Sequence, residues 1–167
     1  IVENCFLAYP SVGAGAVSLY DAVHLQHVGT IKAHRHEISC LEFNAEATML
    51  ATASLQGTVI RIFSCTTKSF GTKLYELRRG ACNCAVVMSM SFNPDSSFLC
   101  LTSDRQTVHI FKLEKPEPSS WLSLFQDAAS RARAYLPDAL SSLTDGCVQP
   151  RSFAYASLES ASIAALL

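Results

Sequence analysis

The stretch CLEFNAEATMLATAS, residues 40–54, returns later in the chain as MSFNPDSSFLCLTS, residues 90–103. In both copies a Phe-Asn pair is followed by a short turn and then by a strand of small residues. The next strand reads GTVIRIF at 57–63 and QTVHIF at 106–111, so the Phe-Asn pairs lie 49 residues apart and the closing Ile-Phe pairs 48 apart. An earlier strand end, LYD at 19–21, precedes the first Ile-Phe pair by 43 residues.

This spacing predicts an all-β fold made of repeated units. Repeats of about 40–50 residues built from short strands are typical of β-propeller blades. A sandwich also contains many short strands, but the period and the aromatic residue that closes each repeat favour a propeller. Apolar and β-branched runs bounded by turn formers predict the single strands. They cover residues 5–9, 16–20, 38–43, 49–53, 58–63, 86–92, 98–102, 107–113 and 152–158.

The chain changes character after Leu113. Residues 114–120, EKPEPSS, have the composition of a linker that ends in serines suited to cap a helix. Residues 121–136, WLSLFQDAASRARAYL, place apolar side chains at helical spacing along one broad face. Pro137 then interrupts the pattern. We therefore predict a long loop that carries one amphipathic helix.

The overall composition is that of a folded globular protein. The 167 residues carry a formal net charge of −1, and 49% are hydrophobic while 16% are charged. This balance gives no reason to expect a nucleic-acid partner. The sequence has no run of about 18 apolar residues that could span a membrane.

The cysteines and the motif inventory exclude several classes of site. There are seven cysteines, an odd number, most of them within apolar runs, which indicates a reducing compartment. Cys82 and Cys84 lie close together but have no second ligand pair, so we predict no metal site. We find no nucleophile–base pair, paired carboxylates or phosphate-binding loop motif, and we predict a non-enzymatic protein without a cofactor.

An arginine pair stands out within this apolar chain. Residues 75–84 read YELRRGACNC, with Arg78 and Arg79 side by side at the end of a strand-like run. Adjacent side chains on a strand point to opposite faces of the sheet. The two guanidinium groups are therefore not expected to serve a single small site.

The chain resembles the PROPPIN family, whose animal members are called WIPI proteins. The resemblance covers residues 4–158 and rests on LAYP, IKAH, LATASLQGTVIRIFS, KLYELRRG, TVHIFKLE, YLP and RSFAYASL. It implies a fragment of a seven-bladed β-propeller, with about three blades in this chain, which we expect to be part of a longer protein. Residues 1–113 would form blades, 114–150 a membrane-interaction loop, and 151–167 the start of a further strand and a tail.

The resemblance also implies two lipid-headgroup sites, one on each side of the arginine pair. The first headgroup site would consist of His34, Ser54, Thr58, Arg61 and Arg78. The second headgroup site would consist of Arg79, Arg105, Thr107 and His109. Arg105 departs from the family, which often has Ser or Thr there, and it would either add a phosphate contact or obstruct the pocket. Both histidines have a structural alternative, and Arg61 has the alternative of an ion pair between blades.

The helix predicted at 121–136 would insert into a membrane, by the same resemblance. Its apolar side would consist of Trp121, Leu122, Leu124, Phe125, Tyr135 and Leu136. Packing of this helix on the propeller is the alternative.

The implied function is that of a peripheral membrane effector in autophagosome formation. It would bind phosphatidylinositol 3-phosphate and the 3,5-bisphosphate, together with autophagy proteins. It would be cytoplasmic and associate with preautophagosomal and endosomal membranes. The competing hypothesis is a protein-interaction propeller whose arginine pair binds an acidic partner peptide.

Overall fold

The computed structural model describes residues 5–80, 84–113 and 154–157, and these residues form an all-β structure. Eleven strands are arranged in three antiparallel sheets, and the described residues contain no helix. Each sheet corresponds to one propeller blade, as the repeat predicted. The predicted helix at 121–136, the rest of the 114–150 loop and the tail after 157 lie outside the described residues.

The strands follow one another along the chain within each sheet. The first sheet contains β1 (Phe6–Pro10), β2 (Ala16–Asp21) and β3 (Gln26–Lys32). The second contains β4 (Ile38–Phe43), β5 (Met49–Ser54), β6 (Val59–Ser64) and β7 (Lys73–Arg78). The third contains β8 (Val87–Phe92), β9 (Phe98–Ser103), β10 (Thr107–Lys112) and β11 (Ala154–Ser157).

Two strands were not predicted from the sequence, β3 and β7. Strand β3, QHVGTIK, begins with three exposed residues and contains a glycine, so its local propensity is weak. It forms because β2 pairs with it along its length. The strand predicted at 152–158 is present as β11, and it is the fourth strand of the third sheet.

One apolar core lies between the first and second sheets, and another lies between the second and third. The second sheet contributes to both cores, because successive side chains of a strand point to opposite faces of the sheet. On β5, Leu50 faces the first sheet while Ala51 and Ala53 face the third. The core between the first and second sheets contains Val17, Leu19, Ile31, Ala33, Leu50, Phe63 and Cys65. The core between the second and third contains Ala51, Ala53, Ile60, Ile62, Leu77, Val87, Met90, Leu99, Leu101, Phe111 and Leu113.

The repeated Phe-Asn pairs have the same structural role in both copies. The Oδ1 atom of Asn44 accepts the N–H of Met49 at 2.8 Å, and Oδ1 of Asn93 accepts the N–H of Phe98 at 2.8 Å. Each asparagine therefore closes the turn between two strands. Asn44 also donates to Ser96 Oγ at 3.1 Å, which joins the second sheet to the third.

Candidate functional site

The arginine pair lies at the end of β7, on one edge of the second sheet. Leu77 is fully buried in the core shared with the third sheet, and Arg78, the next residue, is exposed. Arg78 is paired with Val59 in the β6–β7 register. It therefore shares the sheet face of Glu76, which is turned away from the core around Leu77.

Arg79 follows β7 and turns to the side of the third sheet. Its backbone N–H donates to the carbonyl of Thr58 at 3.0 Å, and its Nε donates to the carbonyl of Gly57 at 2.7 Å. Burial lowers the pKa of the guanidinium, and Asp104 and Arg105 of the third sheet act on that pKa in opposite directions. Arg78 and Arg79 thus lie on different sides of the second sheet.

Behind Arg78, on the same face, lies a polar group that we call the His34 cluster: His34, Thr52, Arg61 and Glu76. Arg61 is paired with Thr52 on one side and with Glu76 on the other. Its Nε donates to Glu76 Oε2 at 3.0 Å, and its Nη1 donates to the carbonyl of Ala33 at 2.8 Å. Arg61 therefore forms an ion pair within its own sheet and also holds the residue that precedes His34.

The hydrogen bonds of this cluster fix the tautomer of His34. Nη1 of Arg61 donates to Nδ1 of His34 at 3.4 Å, so Nε2 carries the proton. That Nε2–H donates to Thr52 Oγ1 at 2.9 Å, and the Thr52 hydroxyl donates to the carbonyl of Arg61 at 3.0 Å. Burial, followed by the charge of Arg61, lowers the pKa of His34 to about 4, so the ring is neutral at pH 7.

Glu76 remains ionised in this setting. Burial would raise the pKa of its carboxyl, but hydrogen bonds from Lys73 and Arg61 outweigh burial and hold the pKa below its ordinary value. The Lys73 ammonium lies 2.6 Å from Oε2. The cluster is therefore a neutral histidine beside an ion pair.

The two hydroxyl residues predicted for the first headgroup site occupy different positions. Ser54 ends β5 and is buried on the Thr52 side of the strand. Thr58 precedes β6, and its described contact is the carbonyl bond to Arg79. The structure therefore brings His34 and Arg61 together, while Thr58 contacts the arginine assigned to the other site.

Two residues predicted for the second headgroup site, Thr107 and His109, lie together with Ser103 in the third sheet, and we call these three residues the His109 cluster. Thr107 Oγ1 lies 2.7 Å from Ser103 Oγ and 3.2 Å from His109 Nε2. Burial, followed by the positive charge of Arg79, lowers the pKa of His109. Arg79 is therefore close enough to act on this cluster electrostatically, and Arg105 is exposed in the turn between Ser103 and Thr107.

Three members of these clusters were missed from the sequence: Thr52, Glu76 and Ser103. Ser103 could have been found, because it occupies the place of Ser54 in the second copy of the repeat. Thr52 and Glu76 are defined by the strand register around Arg61, which no local pattern displays. No group of three metal-ligating side chains occurs in the described ranges, and no helix there is long and apolar enough to cross a bilayer.

Comparisons with known proteins identify the family and the fold of this chain. The sequence model of the PROPPIN family matches residues 2–165. The chain belongs to the PROPPIN family. WD repeat domain phosphoinositide-interacting protein 2 of Xenopus laevis is 45% identical to this PROPPIN over 159 residues, which cover 91% of the chain and 35% of the relative. Autophagy-related protein 18 of Caenorhabditis elegans is 41% identical over 167 residues, which cover 95% of the chain and 40% of the relative.

The fold of this PROPPIN chain is also that of solved relatives. Its structure is similar to that of Hsv2p from Kluyveromyces lactis, with a TM-score of 0.65 and 23% identity over 94% of this chain and 44% of that one. The PROPPIN chain thus spans roughly two fifths of the proteins it matches. The prediction of about three propeller blades is confirmed.

Proposed function

We propose that the protein binds phosphoinositide headgroups, phosphatidylinositol 3-phosphate and the 3,5-bisphosphate, at two sites on either side of the second sheet. It acts as a non-enzymatic peripheral effector in autophagosome formation. Its partners are phosphoinositide-containing membranes and autophagy proteins. It resides in the cytoplasm and associates with preautophagosomal and endosomal membranes. The names of the relatives, phosphoinositide-interacting and autophagy-related, support this proposal.

The observation that carries the proposal is the divergence of Arg78 and Arg79. Arg78 is exposed on the Glu76 face of β7, whereas Arg79 acts on the third sheet. A guanidinium group stays charged and can contact two phosphate oxygens at once. Because the two guanidinium groups lie on opposite sides of a sheet, each can bind one headgroup. The two negatively charged headgroups then do not repel each other within a single site.

The remaining predicted residues complete each site in this proposal. Around Arg78, Ser54 and Thr58 supply hydroxyl groups, while Arg61 and His34 add a charge and a ring that are already held in place by hydrogen bonds. Around Arg79, the hydroxyl of Thr107 and the ring of His109 line the second site. Hydroxyl and imidazole groups are suitable partners for phosphate oxygens and inositol hydroxyls.

The 114–150 loop provides the apolar anchor in this proposal. Trp121, Leu122, Leu124, Phe125, Tyr135 and Leu136 form the inserting side of the helix predicted there. Burial of one such side chain contributes roughly 1.5–3 kcal/mol. A few of them, together with two headgroup contacts, can hold a protein reversibly on a surface.

Liposome flotation with an Arg78→Thr/Arg79→Thr variant tests the headgroup sites. The variant should lose binding to vesicles that contain phosphatidylinositol 3-phosphate, because both guanidinium groups are gone. Lys68→Thr/Lys112→Thr removes two exposed charges, one beyond the far end of β6 and one at the far end of β10, and serves as the control, which should still float. Unchanged binding of the arginine variant would reject the proposal. Vesicle binding that requires no phosphoinositide, or capture of an acidic peptide instead, would favour the protein-interaction propeller.

A second variant, Trp121→Asp/Phe125→Asp, tests the anchor. It should retain affinity for soluble inositol phosphates and lose flotation, because the apolar side of the helix now carries two charges. Intact flotation would assign the 121–136 segment to the fold or to a partner surface.

A further inference from the structure

The turns between β5 and β6 and between β9 and β10 have the same backbone design. Gly57 and Gln106 occupy matching positions, with φ of 55° and 54°, and each donates its N–H to the carbonyl of the serine three residues earlier. The residue before this position is Gln56 in the second sheet and Arg105 in the third. The chain therefore contains two related turns, and the third-sheet turn carries Asp104 and Arg105 where the second-sheet turn has Leu55 and Gln56, so it gains one negative and one positive charge.

The arginines closest in sequence to the two turns differ in their hydrogen bonds and ion pairs. In the second sheet, Arg61 is bound to Glu76 Oε2 at 3.0 Å and to the carbonyl of Ala33 at 2.8 Å. In the third sheet, His109 occupies the position that corresponds to Arg61. The positively charged residue near that turn is instead Arg105, which is exposed within the turn itself. The described structure contains no carboxylate ion pair of Arg105.

The two turns lie on either side of residues 85–86, because the N–H of Ala85 donates to the carbonyl of Gln56 at 3.2 Å and the N–H of Asp104 donates to the carbonyl of Val86 at 3.0 Å. Arg79, whose Nε donates to the carbonyl of Gly57 at 2.7 Å, therefore lies near the third-sheet turn and the His109 cluster. Arg79 and Arg105 are positive, Asp104 is negative, and burial keeps the ring of His109 neutral at pH 7. Asp104 opposes any anion at this place. The Asp104 carboxylate repels a headgroup with two phosphates more strongly than one with a single phosphate. The second phosphate therefore raises the affinity only if it contacts another cation.

We propose that Arg105 makes the second headgroup site selective for an inositol ring with two phosphate groups, one contacted by Arg79 and the other by Arg105. This inference rests on the proposed function and specifies the ligand class of one of its sites. A phosphate monoester carries about −1.5 to −2 charges at pH 7, so a second phosphate supplies a full partner for one more guanidinium group. The site around Arg78 has Gln56 at the position of Arg105, and its second arginine, Arg61, is already bound to Glu76 at 3.0 Å. We therefore expect that site to bind the monophosphate as well as the bisphosphate.

Vesicle binding by wild type and Arg105→Gln tests the inference. Phosphatidylcholine vesicles carry either phosphatidylinositol 3-phosphate or the 3,5-bisphosphate, and a third set carries the monophosphate at doubled density to match surface charge. Wild type should prefer the bisphosphate over both monophosphate sets. Arg105→Gln should lower affinity for the bisphosphate about fivefold, the contribution of one exposed charge pair, and leave the monophosphate unchanged. Raised salt should reduce the preference, because the pair is exposed.

The companion variant Gln56→Arg places the same residue in the matching turn of the second sheet and should raise affinity for the bisphosphate. Soluble inositol 1,3-bisphosphate and 1,3,5-trisphosphate should reproduce the ranking of the two lipids by calorimetry if the headgroup alone is recognised. A ranking seen only on vesicles, or an unchanged lipid preference in Arg105→Gln, would overturn the inference and leave the proposed function standing. Absence of wild-type binding to every phosphoinositide vesicle would instead reject the proposed function.

Discussion

Acidification should weaken the fold through His34, and the size of the effect can be worked out from its surroundings. Burial and the charge of Arg61 lower the pKa of His34 from 6.5 to about 4. Because the folded-state pKa lies below the unfolded value, the unfolded chain takes up the proton first. The contribution of His34 to stability is therefore complete above about pH 6.5 and decreases as the pH falls toward 4. A shift of this size corresponds to about 3 kcal/mol in total.

Urea unfolding of wild type and His34→Gln measures this contribution. A glutamine amide can still donate to Thr52 but does not titrate. Between about pH 7.5 and about pH 5, wild type should lose about 2 kcal/mol more free energy of unfolding than the variant, since His34 is still mostly neutral in the folded protein at the lower pH. His109 and the carboxylates titrate in both proteins, so their effects cancel in the comparison.

Two outcomes would refute this reasoning. Equal losses in both proteins would show that His34 is not the group that links stability to pH. An NMR titration that places the pKa of His34 near 6.5 in the folded protein would show that the ring is accessible to water and that the hydrogen bonds to Thr52 and Arg61 are not maintained in solution.

Two further predictions concern Arg61 and Gly57. Arg61→Met should raise the pKa of His34, measured by NMR, because the charge of Arg61 lowers it. The same variant should lower the free energy of unfolding by about 1–3 kcal/mol through lost hydrogen bonds. Glu76→Gln should lower the pKa of His34, and a shift of that pKa in the same direction for both variants would contradict the electrostatic account. Gly57→Ala should cost at least about 2 kcal/mol, because φ is 55° and a Cβ would lie 1.9 Å from the carbonyl oxygen of Ala85. Gly13→Ala, where the nearest atom is 4.0 Å away, should change unfolding by less than about 0.5 kcal/mol, and similar losses in both would disprove the steric argument.

The fold was largely predictable because its signals are local and repeated. The Phe-Asn turns, the small-residue strands and the closing aromatic residues each act over a few residues, so the sequence displays them directly. Strand β3 was missed because pairing with β2, rather than its own residues, stabilises it. The two headgroup sites remain predictions, and the arrangement of His34 with Arg61 and of His109 with Thr107 is compatible with them.

The amino-acid sequence by itself determined the blade repeat and the divergence of Arg78 and Arg79. The repeat is visible as copied stretches of sequence, and the divergence follows from the alternation of side chains along a strand. Only the tertiary structure decided which groups surround each arginine. The stretch GTVIRIF is one residue longer than its copy QTVHIF, although β6 and β10 each have six residues. Thr107 therefore begins its strand and joins Ser103 and His109, while Thr58 lies in the turn before β6, beside Arg79. The physical reason is that register between strands depends on residues far apart in the chain. One inserted residue therefore changes the neighbours of every side chain near it.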